Sequence, residues 1–251
     1  MKEICGGALK ILKMLYINYE NERDLIHSSI RNNIKVRVLK SVHVDRVLVL
    51  APHPDDDVFG CGALLAHMVR NRAKLRVLYF CAGALGNIQG KKEYDLVGLR
   101  EQEAVAAVRE IGGNEVNFFR YDDLELEKVD KLWEKIYEEV ISHKPDLVLI
   151  PDGNDWHPDH EALYAASVIA LRKVRKNKPK VWEYFVWGID RPTHLFPIDK
   201  KTENIKRAAM SCHRSQLKVK AYDEAILSMN DYIGKGLGLD RPAEGYREMN
   251  L

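Results

Sequence analysis

Several things are scarce in this chain. Its four cysteines (Cys5, Cys61, Cys81, Cys212) are scattered over 251 residues and include no CxxC pair. That spacing excludes a thiolate zinc finger and gives no disulfide framework, so reduced thiols in a cytoplasmic protein are expected. Long apolar runs are missing as well. Nothing approaches the ~20 residues of a membrane-spanning helix, so no membrane insertion is expected. Met1 to Tyr16 is interrupted by Lys10 and Lys13 and is followed by no small-residue cleavage site, so no signal peptide is expected. Charge of one sign is nearly absent as a surplus, with 39 Lys and Arg against 37 Asp and Glu for a net +2. That balance argues against nucleic acid as the main partner. There is no internal repeat and no low-complexity tract. What remains is ordinary globular composition, 46% apolar and 30% charged, enough for the core of a single α/β domain over residues 1–251.

Hydrophobic patterning supplies the order of elements. Residues 3–32 read as two helical pieces, so residues 1–40 are expected to be a helical N-terminal extension. From there strands and helices alternate. Strands are expected at Arg46–Ala51, Leu75–Cys81, Val116–Phe119, Leu147–Ile150 and Val181–Trp187. Helices are expected at Val58–Arg70, Leu99–Ile111, Lys128–His143 and Asp159–Val174. Gly112-Gly113 closes the second helix. Ile205 to Leu227 reads as one helix and Gly234 to Leu251 as loop. The strands are continuous apolar runs, which suits a sheet covered on both faces. The fold expected is a Rossmann-like three-layer α/β sandwich with a mostly parallel sheet and helices on both faces. Such sheets bind ligands at the carboxyl ends of their strands.

Two polar clusters fall at those ends. Pro52-His53-Pro54-Asp55-Asp56-Asp57 joins the first strand to the first helix, and His157-Pro158-Asp159-His160 follows the fourth strand. One imidazole and three carboxylates crowd the first turn, a costly arrangement unless a cation offsets it. A catalytic zinc site uses three protein ligands and leaves a position for water. His53 and Asp56, three residues apart at a helix start, can aim at one point, with His160 as the third ligand. Asp55 then stays free to act as general base. His157 lies one helical turn from His160 and is placed to meet a developing oxyanion or protonate a leaving amine, with Asp159 orienting it. A helix N-cap alone would explain a single such turn; the pair of turns is what favours a metal site.

The turn PHPDDD resembles the AHPDDE signature of the LmbE-like, or PIG-L, N-acetylglucosaminyl deacetylases, and HPDH matches that family's second metal motif. Leu99-Arg100-Glu101-Gln102-Glu103-Ala104 is similar to its R-x-x-E-A helix start, and His213-Arg214-Ser215-Gln216 resembles its H-x-S-Q element. The resemblance spans about residues 45–220, with the motifs in the family's order. It implies one Zn²⁺ per chain on His53, Asp56 and His160, with Asp55 as base and His157 as electrostatic or acid partner. It also implies substrate binding by Arg100, with Asp122. Asp57 stands where the family carries Glu, which leaves a sugar-contacting role for that position in question. The implied substrate is an N-acetylated amino sugar: N-acetylglucosamine, its disaccharide or a conjugate. With the N-terminal extension, the resemblance implies a homo-oligomer, a trimer or hexamer. A metal-dependent phosphoesterase and a non-catalytic sugar- or metal-binding protein remain as alternatives.

Other signals have blander readings. The basic run Arg172 to Lys180 reads as the solvated end of a helix. Cys61, between Gly60 and Gly62, reads as a small buried residue, with the glycines letting the helix approach the sheet. His213 reads either as lining the site or as a helix-surface residue. Trp182, Tyr184, Phe185 and Trp187 read equally as a sugar-stacking wall or as core.

Overall fold

The computed structural model describes residues 36–86 and 93–251. The helices expected between residues 3 and 32 lie outside the described residues. Eight strands form one sheet in the order β1-β7-β8-β6-β5-β2-β3-β4. They are β1 Arg37–Val38, β2 Arg46–Ala51, β3 Lys74–Cys81, β4 Glu115–Tyr121, β5 Leu147–Pro151, β6 Lys180–Tyr184, β7 His194–Pro197 and β8 Ala243–Met249. β6, β5, β2, β3 and β4 pair in parallel, and β1 pairs in parallel with β7. β8 runs antiparallel between β6 and β7. The helices are α1 Asp56–Arg70, α2 Glu93–Ile111, α3 Leu132–His143, α4 Pro158–Lys173, α5 Lys200–Met210, α6 Arg214–Leu217 and α7 Tyr222–Gly236.

The side-chain alternation of β2 shows why helices cover both faces. Val47, Val49 and Ala51 point into a core built with Leu64, Leu65 and Met68 of α1, Ala104 and Val108 of α2, and Met210 of α5. Leu48 and Leu50 point the other way, into a core with Leu132, Ile136 and Val140 of α3 and Leu163 and Ala170 of α4. All five of these strand residues are fully buried. Burial of each large aliphatic side chain contributes about 1.5–3 kcal/mol, which is what two apolar layers at every second residue exploit.

The chain leaves β2 toward β3 and β4 on one side, then returns to place β5 on the other side of β2. The crevice between the carboxyl ends of β2 and β5 is therefore the topological switch point of the sheet, the place where such sheets bind ligands. Both polar clusters open there.

The structure departs from the sequence reading in its last third and at its first strand. Residues 37–38, expected within a helical extension, form an edge strand on β7. Ile205 to Leu227 is not one helix: α5 stops at Met210, a turn with His213 Nα donating to the Met210 carbonyl intervenes, and α6 and α7 follow. Gly234 to Leu251, expected as loop, contains the end of α7 and strand β8.

Candidate metal centre and cavity

The first turn is closed by its own backbone. Asp55 and Asp56 Nα donate to the His53 carbonyl at 2.8 and 3.3 Å, and Val58 and Phe59 Nα return to the Asp55 carbonyl. Asp56 Oδ2 accepts from His53 Nα at 2.8 Å, so the candidate ligand side chain also shapes the turn. Asp55 is the N-cap of α1, and Asp56 and Asp57 occupy its first turn, where the helix dipole favours negative charge. The second turn is built alike. His157 is the N-cap of α4 with Pro158 at its first position, and Asp155 Oδ1 accepts from His157 Nα at 3.0 Å. Arg247 of β8 braces this loop, reaching Asp152 at 2.7 Å and Asp190 at 3.0 Å as well as Glu183.

The two turns meet at Asp56. Its Oδ2 lies 3.2 Å from His53 Nδ1 and 3.2 Å from His160 Nε2. The three rings stand close together, with centroids 4.7 Å apart for His53 and His157, 5.6 Å for His53 and His160, and 5.2 Å for His157 and His160. His53, His157 and His160 each offer a nitrogen within 4.8 Å of the others. Outer carboxylates fix the rings: Asp155 Oδ2 lies 2.9 Å from His160 Nδ1, and Asp159 Oδ2 lies 3.2 Å from His53 Nε2. Asp159 also accepts Leu124 Nα at 2.8 Å and Leu126 Nα at 3.3 Å, tying the segment after β4 to the site. The thiol of Cys81 shares a donor group with His53 and Asp159, but burial and the Asp159 charge push it far up, keeping it protonated.

The buried carboxylates favour positive charge on two of the three rings. Burial works against charging His53 and His160, yet the contacts of His53 with Asp159 and Asp56 raise it to about 9. Those of His160 with Asp56 and Asp155 raise it to about 10. Burial pushes Asp56 upward, but His160 and His53 hold it well below the usual carboxylate range. Burial raises Asp55, opposed chiefly by the Arg100 guanidinium. His157 is lowered, by burial and by the neighbouring His53 and His160 rings.

A cavity of about 570 Å³ opens over this cluster. Arg100, nearly fully buried, donates to Asp55 Oδ2 at 2.9 Å and to the Gly83 carbonyl at 3.1 Å. The two remaining motif segments lock together behind it: Glu103 accepts Ser215 Nα at 2.8 Å and Ser215 Oγ at 2.6 Å, which sets Gln216 on the cavity wall. One wall is aromatic, with the Trp187 and Tyr222 rings 5.3 Å apart and Phe59 6.3 Å from each. Trp156, 73% exposed, stands at the mouth, 5.6 Å from His157.

Of the sequence-predicted residues, His53, Asp55, Asp56, Arg100, His157 and His160 all line this one cavity. Asp159 is buried beneath it and faces His53 more closely than His157, whose Nδ1 is 3.8 Å away. What Asp159 gives His157 is a backbone N–H, at 3.3 Å to Nδ1. Asp122 and Asp57 do not reach the cavity. Asp122 is exposed beyond the end of β4, whereas its neighbour Asp123 turns back, accepts Gly83 and Leu85 Nα at 2.7 and 2.8 Å, and lines the wall. Asp57 is wholly buried beside the Tyr79 hydroxyl, and burial pushes its carboxyl up to about 7. His213 is not on a helix surface; it is fully buried, 5.8 Å from the Phe59 ring. Trp182, Tyr184 and Phe185 belong to the core, and only Trp187 reaches the cavity. Cys61 is a buried small residue whose Sγ donates to the Asp57 carbonyl. Asp155 and Asp123 escaped the sequence reading because each acts through a hydrogen bond that only the fold creates.

Comparison with known proteins gives the family of the chain. Residues 48–171 match the family model described as PIG-L, GlcNAc-PI de-N-acetylase. A probable N-acetyl-alpha-D-glucosaminyl L-malate deacetylase 2 of Bacillus subtilis is 32% identical over 187 residues, covering 68% of this chain and 83% of that protein. The diacetylchitobiose deacetylase of Thermococcus kodakarensis is 27% identical over 229 residues, covering 81% and 83%. Among solved structures, the N,N'-diacetylchitobiose deacetylase of Pyrococcus horikoshii superposes with a TM-score of 0.73 at 20% identity, covering 82% of this chain and 84% of that one. The 4-carboxy-2-hydroxymuconate hydratase GalB superposes with a TM-score of 0.70 at 19% identity, covering 82% and 97%. At those identities both structures speak for the fold alone.

Proposed function

This chain belongs to the PIG-L, or LmbE-like, family of metal-dependent deacetylases, and on that premise we propose that it hydrolyses the N-acetyl group of an N-acetylated amino sugar. The observation that supports the reading is that Asp56 Oδ2 lies 3.2 Å from one ring nitrogen of His53 and one of His160, with Asp55 beside them on the cavity wall. A carboxylate and two imidazoles are donors of the kind a divalent ion takes. Tetrahedral ligands with bonds of about 2.0–2.2 Å stand about 3.3 Å apart, and two of the three edges of this set match, Asp56 Oδ2 to His53 Nδ1 and to His160 Nε2 at 3.2 Å each. Asp155 and Asp159 supply the outer carboxylates such histidines require. We assign the ion as Zn²⁺, one per chain. When bound it polarises the amide carbonyl and acidifies water.

The remaining chemistry falls to the side chains. Asp55 takes the proton of the attacking water, and Arg100 holds that carboxylate toward the cavity. His157 accepts the Asp159 N–H at Nδ1, so the neutral ring carries its proton on Nε2. The lowered pKa keeps it neutral at rest. It therefore donates a hydrogen bond to the developing oxyanion rather than presenting a fixed positive charge. Collapse of the tetrahedral adduct sends the Asp55 proton to the departing nitrogen, releasing acetate and a free amine. The aromatic wall of Phe59, Trp187 and Tyr222 offers a face for a pyranose ring or its aglycone.

Among the described residues no helix is long and apolar enough to cross a membrane. The proposal includes a small sugar substrate met in the cytoplasm and assembly as a trimer or hexamer. The test is a screen of N-acetylglucosamine, its disaccharide and its conjugates for free amine, with and without a chelator. Chelator-sensitive release of amine and acetate supports the reading. No release from any of them, with metal bound, contradicts it.

A further inference from the structure

Helix α1 is not one helix. At Cys61 the backbone leaves helical geometry, with φ −138° and ψ 17°, so a short first segment carrying Asp55, Asp56 and Asp57 is joined at an angle to a longer second one. Such a break would normally strand helix donors and acceptors in the core, where an unpaired backbone group is costly. Here they are taken up by a buried ion pair. Glu244 of β8 accepts Ala63 Nα and Leu64 Nα at 2.8 Å each, capping the second segment. Lys206 of α5 donates to the Phe59 carbonyl at 2.9 Å, closing the end of the first. The two are joined at 2.7 Å, and both side chains are 0% exposed. The third Lys206 proton goes to Asn230 Oδ1 of α7 at 3.0 Å, and the Tyr246 hydroxyl completes Glu244 at 2.7 Å. Every polar position of the pair is used.

Burying an ion pair is rarely the cheapest way to stabilise a core, since apolar replacements are often neutral or better. A pair inserted into the hydrogen-bond ladder of the one helix that carries a candidate ligand and the candidate base does something apolar residues cannot. It fixes the angle of the break. We propose that Lys206 and Glu244 are positioning residues for the metal turn. They set the tilt of the segment Asp56–Gly60, and with it the approach of Asp56 to His160 and of Asp55 to the cavity. This rests on the functional reading above and deepens it. Lys206, Asn230 and Glu244 all lie beyond the matched residues 48–171, so the C-terminal third of the chain reaches the metal turn through them.

The experiment measures metal affinity without substrate, by competition of Zn²⁺ with a chromophoric chelator, and kcat and KM per bound metal, for wild type and Lys206→Met. A positioning role weakens metal binding about 10-fold and lowers kcat per bound metal about 10- to 100-fold, with KM changed less than about threefold. Tyr246→Phe removes one hydrogen bond to Glu244 and shows the same pattern at smaller size. It replaces Lys206→Met as the decisive variant where that chain does not fold. A lowered melting temperature with wild-type metal affinity and wild-type kcat per bound metal overturns the proposal. The affinity comparison needs no turnover, so a wild-type protein that binds Zn²⁺ but releases no acetate contradicts the deacetylase reading and leaves this comparison standing.

Discussion

Asp155 is placed to act as an outer carboxylate of the proposed metal site. It holds His160 Nδ1 at 2.9 Å and braces His157 Nα at 3.0 Å. Replacing it with Asn keeps the shape but loses the charge that holds the ring, so Asp155→Asn is expected to weaken Zn²⁺ binding about 10-fold, read by chelator competition. His160→Ala removes a proposed ligand and is expected to lose both metal and turnover. His213 makes a different prediction. It is fully buried and neither ring nitrogen has a partner among the described residues. Burial, helped by the Arg100 charge, pushes it down to about 3 from 6.5. A group depressed on folding gives stability that is intact above 6.5 and is lost as pH falls toward 3, because the unfolded chain takes the proton first. The slope is about 1.4 kcal/mol per pH unit. Metal-free His213→Asn should lack that slope when unfolded by urea between pH 6 and 4.5; a variant that tracks wild type would mean the ring is not buried neutral. The residues that meet at the cavity floor were legible in sequence because each motif is short and sits in one local turn. Asp123 and Asp57 were not legible, because which of two or three consecutive carboxylates faces a cavity depends on how the turn is wound.

At the scale of elements, the break in α1 at Cys61 separates the turn carrying Asp55, Asp56 and Asp57 from the rest of the helix. Gly60 lets the first segment press on the sheet, since a Cβ there would run into the Tyr184 ring. That ring cannot retreat: it is fully buried and its hydroxyl donates to the Leu50 carbonyl at 3.0 Å. Gly60→Ala is expected to destabilise by about 1–3 kcal/mol, the usual range for overpacking, measured by denaturant unfolding of the metal-free protein. Stability equal to wild type would mean the helix does not approach the sheet this closely. The glycines flanking Cys61 announced the close approach, but not the break itself. Strand β8 was hidden by the same ion pair. Ala243-Glu244-Gly245-Tyr246 buries every residue, yet a glutamate and a glycine in the run read as loop, because only a lysine from another helix makes a carboxylate acceptable there. β7 is four residues long, His194–Pro197, too short for periodicity to show. The strands around the site were legible because they are unbroken apolar runs buried on both faces.

For the whole molecule, the order of strands does most of the work. Because β3 and β5 flank β2 on opposite sides, two turns about a hundred residues apart in sequence open into one crevice. That arrangement is shared with deacetylases and also with a hydratase, so architecture alone does not choose the reaction; the side chains in the crevice do. The most direct measurement is metal content and turnover taken together on Asp55→Asn. With His53, Asp56 and His160 as the ligand set and Asp55 as the base, the variant should keep one equivalent of Zn²⁺ at wild-type affinity while acetate release falls by about 10²–10⁴-fold. Turnover at the wild-type rate with the metal in place would contradict the assignment of Asp55 as base, and loss of the metal would contradict its place outside the ligand set.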